Sequence, residues 1–255
     1  MGALRAIVPQ FCTEPHADER LIDRYNRDYE CRLADDPNLL QRAFETRYQV
    51  YCVENPFEDP AQQAGAMEMD EYDARSRHSV LIYRPTGEIL GTVRLILPVN
   101  GQLDSFSMKG IAERCGGALP IPDGRTAEVS RFSISKRSRQ GAEPALSVFR
   151  NPSQNAGAIR RAEPLMSLGL IQGLVRMSQL HGITHWCAVM EPKMLRMLSA
   201  MGIHFTPVGG LVEHHGLRQL CYCEVAGILR SMKIERPTFW EVVADVGPTT
   251  LALAS

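Results

Sequence analysis

The stretch Thr126-Ala-Glu-Val-Ser-Arg-Phe-Ser-Ile-Ser135 reads as a strand, bounded upstream by Gly- and Pro-rich sequence. Strict alternation puts Glu128, Ser130, Phe132 and Ile134 on one face and Val129, Arg131 and Ser133 on the other. In a covered sheet this sends at least one charge into a buried layer. An unpaired buried charge is very costly. Each charge therefore needs a partner, or a bulge must redirect one of them. The acidic cluster at 68–73 offers partners for Arg131, and Arg47 or Arg94 could serve Glu128. Two readings stay open, a reactive site and a buried ion-pair network that only orders the sheet.

Working outward, the segments 78–84 and 88–97 flank Pro85-Thr86-Gly87 and read as a β-hairpin. Upstream, Asp36-Pro37-Asn38 starts a helix. Leu40, Phe44, Tyr48 and Tyr51 recur in it at helical spacing up to about Glu54. A short helix is expected near Met108–Cys115. Residues 136–161 read as a long basic loop, followed by a helix over about Pro164–His181, a strand over 184–190 and a short helix over 192–200. Short strands are expected near 203–207 and 218–226, and a short helix over 238–244. This order argues an α/β chain with a partly antiparallel, mixed sheet flanked by helices. Residues 1–36 read as an N-terminal extension, 37–230 as one domain and 231–255 as a C-terminal tail.

The 255 residues carry 28 Lys plus Arg against 29 Asp plus Glu, with 44% hydrophobic residues. That balance excludes a disordered or collagenous chain and removes the electrostatic case for nucleic acid. No apolar run approaches the roughly 20 residues of a membrane span. The first twenty residues do not read as a secretory signal, and seven scattered cysteines without a Cys-x-x-Cys pair fit a reducing compartment, so a cytoplasmic protein is expected. His204, His214 and His215 lack a matching Cys or acid spacing, so no metal is expected. In Met67-Glu-Met-Asp-Glu-Tyr-Asp73 four carboxylates crowd together. They suit a solvated loop, or a site that binds ammonium, accepts hydrogen bonds from Arg or takes up a proton.

Phe44-x-x-Arg47-Tyr-x-Val50, Glu68-x-Asp70-Glu-Tyr-Asp73, Gly91-Thr-Val-Arg94-Leu and Glu128-Val-Ser-Arg131-Phe, followed by Trp186-x-x-Val189-Met-Glu-Pro, resemble the ordered signature of acyl-homoserine-lactone (autoinducer) synthases. The resemblance covers about residues 40–205. Arg47-Tyr-x-Val-Tyr-Cys52-x-Glu54-x-x-Phe57, Met190-Glu-Pro192 and Val212-Glu-His-His-Gly216-x-Arg218 are similar to the acyltransferases associated with PEP-CTERM/exosortase systems, near the N-acyl amino acid synthases. All resemble the GNAT superfamily.

The resemblance implies a GNAT-like mixed central sheet with splayed parallel strands, here 126–135 and 184–190. It also implies acyl transfer from a thioester, on acyl carrier protein or coenzyme A, to a primary amine, with no tightly bound cofactor. By the same analogy Arg47, Glu68, Asp70, Asp73, Arg94, Glu128 and Arg131 fall on site positions, and Ser130, Phe132 and Trp186 count as substrate-binding candidates. Glu128 is the first candidate base, Asp70 the second, and Arg131 a further catalytic candidate that orders the acidic loop or binds a carboxylate. A bulge near 129–132 would offer a backbone N–H to the oxyanion.

Lys136-Arg-Ser-Arg-Gln-Gly141-Ala142 does not meet the spacing of the GNAT pyrophosphate cradle. This favours acyl carrier protein, with Lys136, Arg137, Arg139, Arg160 and Arg161 as its docking patch. The expected partners are that carrier and a small amine, without nucleic acid or integral membrane contact. The leading acceptor is an amino acid. S-adenosylmethionine, giving a homoserine-lactone autoinducer, is the alternative, and a non-catalytic acyl-carrier binding or sensing protein is the rival from another class.

Overall fold

The computed structural model describes residues 20–99, 106–116, 119, 124–136 and 155–244, with side chains in the last stretch from residue 165. Among the described residues seven strands form one mixed α/β sheet: β1 (Tyr29–Leu33), β2 (Ser76–Tyr83), β3 (Glu88–Ile96), β4 (Thr126–Ile134), β5 (His185–Met190), β6 (Thr206–Glu213) and β7 (Leu217–Glu224). Their order is β1-β2-β3-β4-β5-β7-β6. Only β4 and β5 pair in parallel, and the remaining neighbours are antiparallel. The helices are α1 (Leu21–Asp28), α2 (Pro37–Tyr48), α3 (Lys109–Cys115), α4 (Asn155–Leu180), α5 (Pro192–Ala200), α6 (Val225–Glu235) and α7 (Pro237–Val243).

One face of the sheet is covered by α4, whose Leu168, Leu170, Ile171 and Leu174 are buried with Leu81, Leu90, Leu95, Ala127 and Trp186 in the main core. On the other face, α2 packs Leu39 and Ala43 against Val80, Ile82 and Ile89. The segment around α3 packs Phe106, Met108 and Cys115 against Ile96, Cys187 and Leu220. Apolar burial of this extent is the main stabilising term. The start of α2 follows its sequence signal: the Asp36 carboxylate accepts the Leu39 N–H at 2.8 Å, with Pro37 in the first turn. The helix then widens into a π-turn over Gln49–Glu54.

Three local expectations change. Residues 21–33 and 231–243, read as parts of an extension and a tail, are integral. β1 is hydrogen-bonded to β2 over its whole length, and Ile22, Tyr25, Val242 and Val243 enter the main core. The helix expected to begin at Pro164 begins at Asn155, which replaces the second half of the expected basic loop. Proline favours a first turn, and here it lies inside the helix instead. The strand expected near 203–207 lies over Thr206–Glu213 and pairs with β7 as the sheet edge.

The fourth change decides the site. Arg94 faces Ser130 and Thr92 faces Ser133, so Arg131 and Phe132 together oppose Val93. This is a β-bulge, with Arg131 in the left-handed region at φ 51°. Before it, Glu128 and Ser130 share the face of Ile96 and Arg94. After it the phase reverses. Phe132 and Ile134 pack against the α4-side core, while Ser135 turns to Glu54 beyond α2 at 2.7 Å. Alternation assigned Phe132 and Ile134 to the Glu128 face, and the extra residue overturns that assignment. Gly91 permits the close passage of β4 here, because a Cβ on it would come within 2.4 Å of the Ser133 carbonyl oxygen.

Candidate active site

The parallel ladder of β4 and β5 has three rungs: Thr126 with His185, Ala127 with Trp186 and Glu128 with Cys187. Beyond them β5 follows β7, and β4 follows β3 into the bulge. The sheet therefore splits into a V immediately after Glu128.

Glu128 is 3% exposed. Its Oε1 accepts the Ser107 hydroxyl at 2.5 Å and its Oε2 accepts the Met108 N–H at 3.3 Å. Burial pushes its pKa up, opposed in part by the Ser107 hydrogen bond and the Arg94 charge. The expected pairing of Glu128 with Arg47 or Arg94 does not form among the described residues. Both guanidinium groups are held by the acidic segment instead.

That segment, placed just before β2, is not a free loop. The Arg47 Nε donates to Glu68 Oε2 at 2.6 Å, and its Nη1 and Nη2 fork onto Asp73 at 2.6 and 3.1 Å. Arg94 Nη1 reaches Asp70 at 2.6 Å and Asp73 at 2.9 Å, while its Nε donates to Ser130 Oγ at 2.9 Å. The bulge turns Arg131 to the same side, where Nη2 meets Glu68 at 2.7 Å and both Glu58 and Asp70 at 3.3 Å. Its guanidinium carbon lies 5.1 Å from the Tyr51 ring centre.

Arg47 and Arg94 are both fully buried. Burial acts to raise the Glu68 carboxyl, yet hydrogen bonds and charge from Arg131 and Arg47 hold it down at about 2. Asp73 is likewise opposed by burial but carried far below the carboxylate range by Arg47 and Arg94. These carboxylates remain ionised near neutral pH and do not act as bases there. His78 lies 3.5 Å from Asp73 and edge-on to Phe44. Burial and the Arg47 charge lower its pKa to about 3, so it is neutral and makes no ion pair.

The fold thus brings Arg47, Glu68, Asp70, Asp73, Arg94, Ser130 and Arg131 into one network on the Glu128 side of the V. Glu58, which bonds Arg131, and Asp70 form its exposed edge, with side chains 38% and 26% exposed. Trp186 is not in this group. It lies in the α4-side core, where its Nε1–H donates to Ser178 Oγ at 2.8 Å. Phe132 is excluded by the phase reversal. Lys136 is exposed, its backbone N–H on Glu54 and its Nζ 3.1 Å from Asn55 Oδ1. Arg137 and Arg139 lie outside the described residues, and so do the side chains of Arg160 and Arg161 in α4. His204 binds Glu235, whereas His214 and His215 meet edge to face just after β6. Glu58, Ser107 and His78 escaped sequence reasoning. No motif marks the first two, and His78 looks like an ordinary strand residue.

No curated protein matches the chain. Among solved structures, TofI in a ternary complex with an inhibitor and MTA superposes at TM-score 0.58 with 18% identity, covering 82% of this chain and 99% of that one. The AHL synthase LasI gives 0.56 at 17% identity over 77% and 90%. The CoA-dependent acyl-homoserine lactone synthase BjaI, solved with SAM and isopentyl-CoA, gives 0.55 at 17% over 86% and 88%. At these identities the likeness is one of fold. Residues 46–148, which include Arg47, Glu68, Asp70, Asp73, Arg94, Glu128 and Arg131, match the family model described as acetyltransferase (GNAT) domain. This part of the chain is thus similar to a GNAT acetyltransferase domain, and it lies in a mixed sheet whose fold is that of the acyl-homoserine-lactone synthases.

Proposed function

We propose that the protein is an N-acyltransferase that moves a fatty acyl group from a thioester to the amine of a small molecule, with an amino acid as acceptor. The observation that carries this reading is Glu128, a buried carboxylate of raised pKa at the fork of β4 and β5. An amine attacks a thioester only when unprotonated, and a carboxylate whose pKa is raised towards neutrality is a better base for its proton. The N–C bond forms as the C–S bond breaks, and the thiolate leaves without strong acid assistance.

Asp70, at the exposed edge of the network, receives the acceptor's ammonium group. Arg94 and Arg131 act as clamps on the acidic segment, since their contacts are made within the protein. A bulge leaves its extra residue outside the ladder, which supplies a backbone N–H near Arg131 to the tetrahedral oxyanion. The preferred donor is acyl carrier protein, because the pyrophosphate spacing is missing at 136–142. Kinship with the exosortase-associated branch rests on the Cys52, Pro192 and His214-His215 motifs.

S-adenosylmethionine as acceptor is a second reading, favoured by four carboxylates, Glu58, Glu68, Asp70 and Asp73, against three arginines in the network. An excess of negative charge suits any cationic acceptor. The test is a thiol-release assay with octanoyl-coenzyme A and octanoyl acyl carrier protein in separate arms. Each donor is offered to the amino acids and to S-adenosylmethionine, and products are identified by mass spectrometry. An acyl amino acid supports the proposal and an acyl-homoserine lactone the second reading. Carrier-protein binding without thiol release with any pair would establish a binding protein instead.

A further inference from the structure

The proposed base is sealed from water on nearly every side. Glu128 is packed among Ile96, Met108 and Cys187, and only 3% of it is exposed. A proton taken from the acceptor has to leave again before the next turnover, and a buried carboxyl cannot pass it directly to solvent. Among the described residues, one side-chain contact breaks the seal. Ser107 is an exposed residue just before α3, and its hydroxyl is hydrogen-bonded to Glu128 Oε1. The other Glu128 oxygen is tied to the Met108 backbone N–H, which donates and cannot accept a proton. The charged and titratable groups around the carboxyl are Arg94 on β3, Cys187 on β5 and Tyr72 before β2. Arg94 is a permanent cation, and the Cys187 thiol is fully buried.

We infer that Ser107 is the proton port of the site: its hydroxyl relays the acceptor's proton from Glu128 to bulk water. The step balances without a co-reactant. The amine N–H bond breaks and its proton goes to Glu128 Oε1. Ser107 Oγ then accepts that proton while its own hydroxyl proton passes to a solvent water, which restores the carboxylate and the hydroxyl. A serine hydroxyl can donate and accept at once, which is what a relay requires. Ser107 acts through Glu128 and is a positioning and relay residue rather than one that touches substrate.

This inference rests on the assignment of Glu128 as base, and the experiment separates the two. With the donor–amine pair that turns over best, Ser107→Ala is expected to lower kcat about tenfold, a fraction of the effect of a whole general base. Small permeant buffers such as imidazole are expected to restore its rate in proportion to their concentration, and Ser107→Thr to keep the wild-type rate. A rate unchanged in Ser107→Ala overturns the relay. So does a loss that buffer does not rescue, or an equal loss in Ser107→Thr. Glu128→Gln serves as the reference. If it retains full turnover, the base assignment falls and the relay with it. If it is slow while Ser107→Ala is normal, the relay alone falls. No thiol release with any pair overturns both.

Discussion

Glu128 and Cys187 are the last residues in register between β4 and β5, so a carboxylate and a thiol sit side by side where the sheet divides. The thiol is fully buried. Burial, and then the Glu128 charge, push its pKa well above the usual value. It is a neutral space-filler beside the fork and not an acyl-accepting nucleophile. Cys187→Ala is expected to cost about 1–2 kcal/mol in urea denaturation through lost packing, with turnover kept to the same order of magnitude. An acyl group trapped on Cys187 in a rapid-quench mass spectrum would contradict direct transfer.

Replacing Glu128 separates activity from stability. Glu128→Gln is expected to lower kcat about 10²–10⁴-fold, the usual range for a general base. Burial raises the folded-state pKa, so the unfolded chain loses this proton first as pH rises through about 4.3. The native state then holds more protons than the unfolded state, so wild-type stability falls from that pH up to the folded pKa and is constant above it. Glutamine escapes that loss. The stability of the variant relative to wild type should therefore rise in thermal melts as pH increases above about 4.3 and level off once the folded-state carboxyl ionises, and a flat difference would show that burial does not strain Glu128.

At Arg131 the backbone and the side chain make separable contributions. A φ of 51° costs a residue with a Cβ about 1–2 kcal/mol, which glycine does not incur. Both Arg131→Ala and Arg131→Gly lose the contacts to Glu68, Glu58 and Asp70. Glycine is therefore expected to be the more stable of the two by about 1 kcal/mol, the reverse of the usual order within a strand. Paired denaturation curves check this directly.

His78 predicts an acid limb of stability. Its folded pKa of about 3 lies below the ordinary histidine value of 6.5, so below pH 6.5 the unfolded chain takes up a proton that the native one refuses. The stabilising contribution is complete above pH 6.5 and is lost as pH falls towards 3. It amounts to a few kcal/mol, on the order of the shift converted at about 1.4 kcal/mol per pH unit. Glu68, held at about 2, and Asp73 add a second loss below about pH 4.3. In His78→Gln the slope between pH 6.5 and 4.5 should flatten while the lower limb persists.

The hairpin of β2 and β3, the strands β4 and β5 and the helices α2, α3 and α5 were legible because their periods and stop signals are local. Asp36-Pro37 caps α2 and Gly87, at φ 70°, turns the hairpin. α1 and β1 were not legible, because Asp23, Arg24, Arg27 and Asp28 surround the few apolar residues that dock them. The Arg–acid network was half legible. The need for partners follows from burying charge, and Arg131 does meet the acidic cluster. Which arginine meets which carboxylate depends on a bulge that shifts the register by one residue, and nothing in Ser130-Arg131-Phe132 announces a left-handed residue. Ser107 lay in an unpatterned stretch, and its role depends on a long-range contact with β4.

The bulge in β4 adds a charged residue to the acidic side without changing the apolar side of the strand. Deleting one residue between 130 and 132 would leave a smooth strand of nearly unchanged composition. Alternation from Ser130 would still put Phe132 and Ile134 in the α4-side core and Ser133 and Ser135 on the opposite side, so the loss of Arg131 would take only its guanidinium from the acidic segment. Straightening β4 at full length would instead turn Phe132 and Ile134 towards α2, so the bulge and its extra residue depend on each other. A homologue that lacks this residue would have to build its fork from a different set of charges.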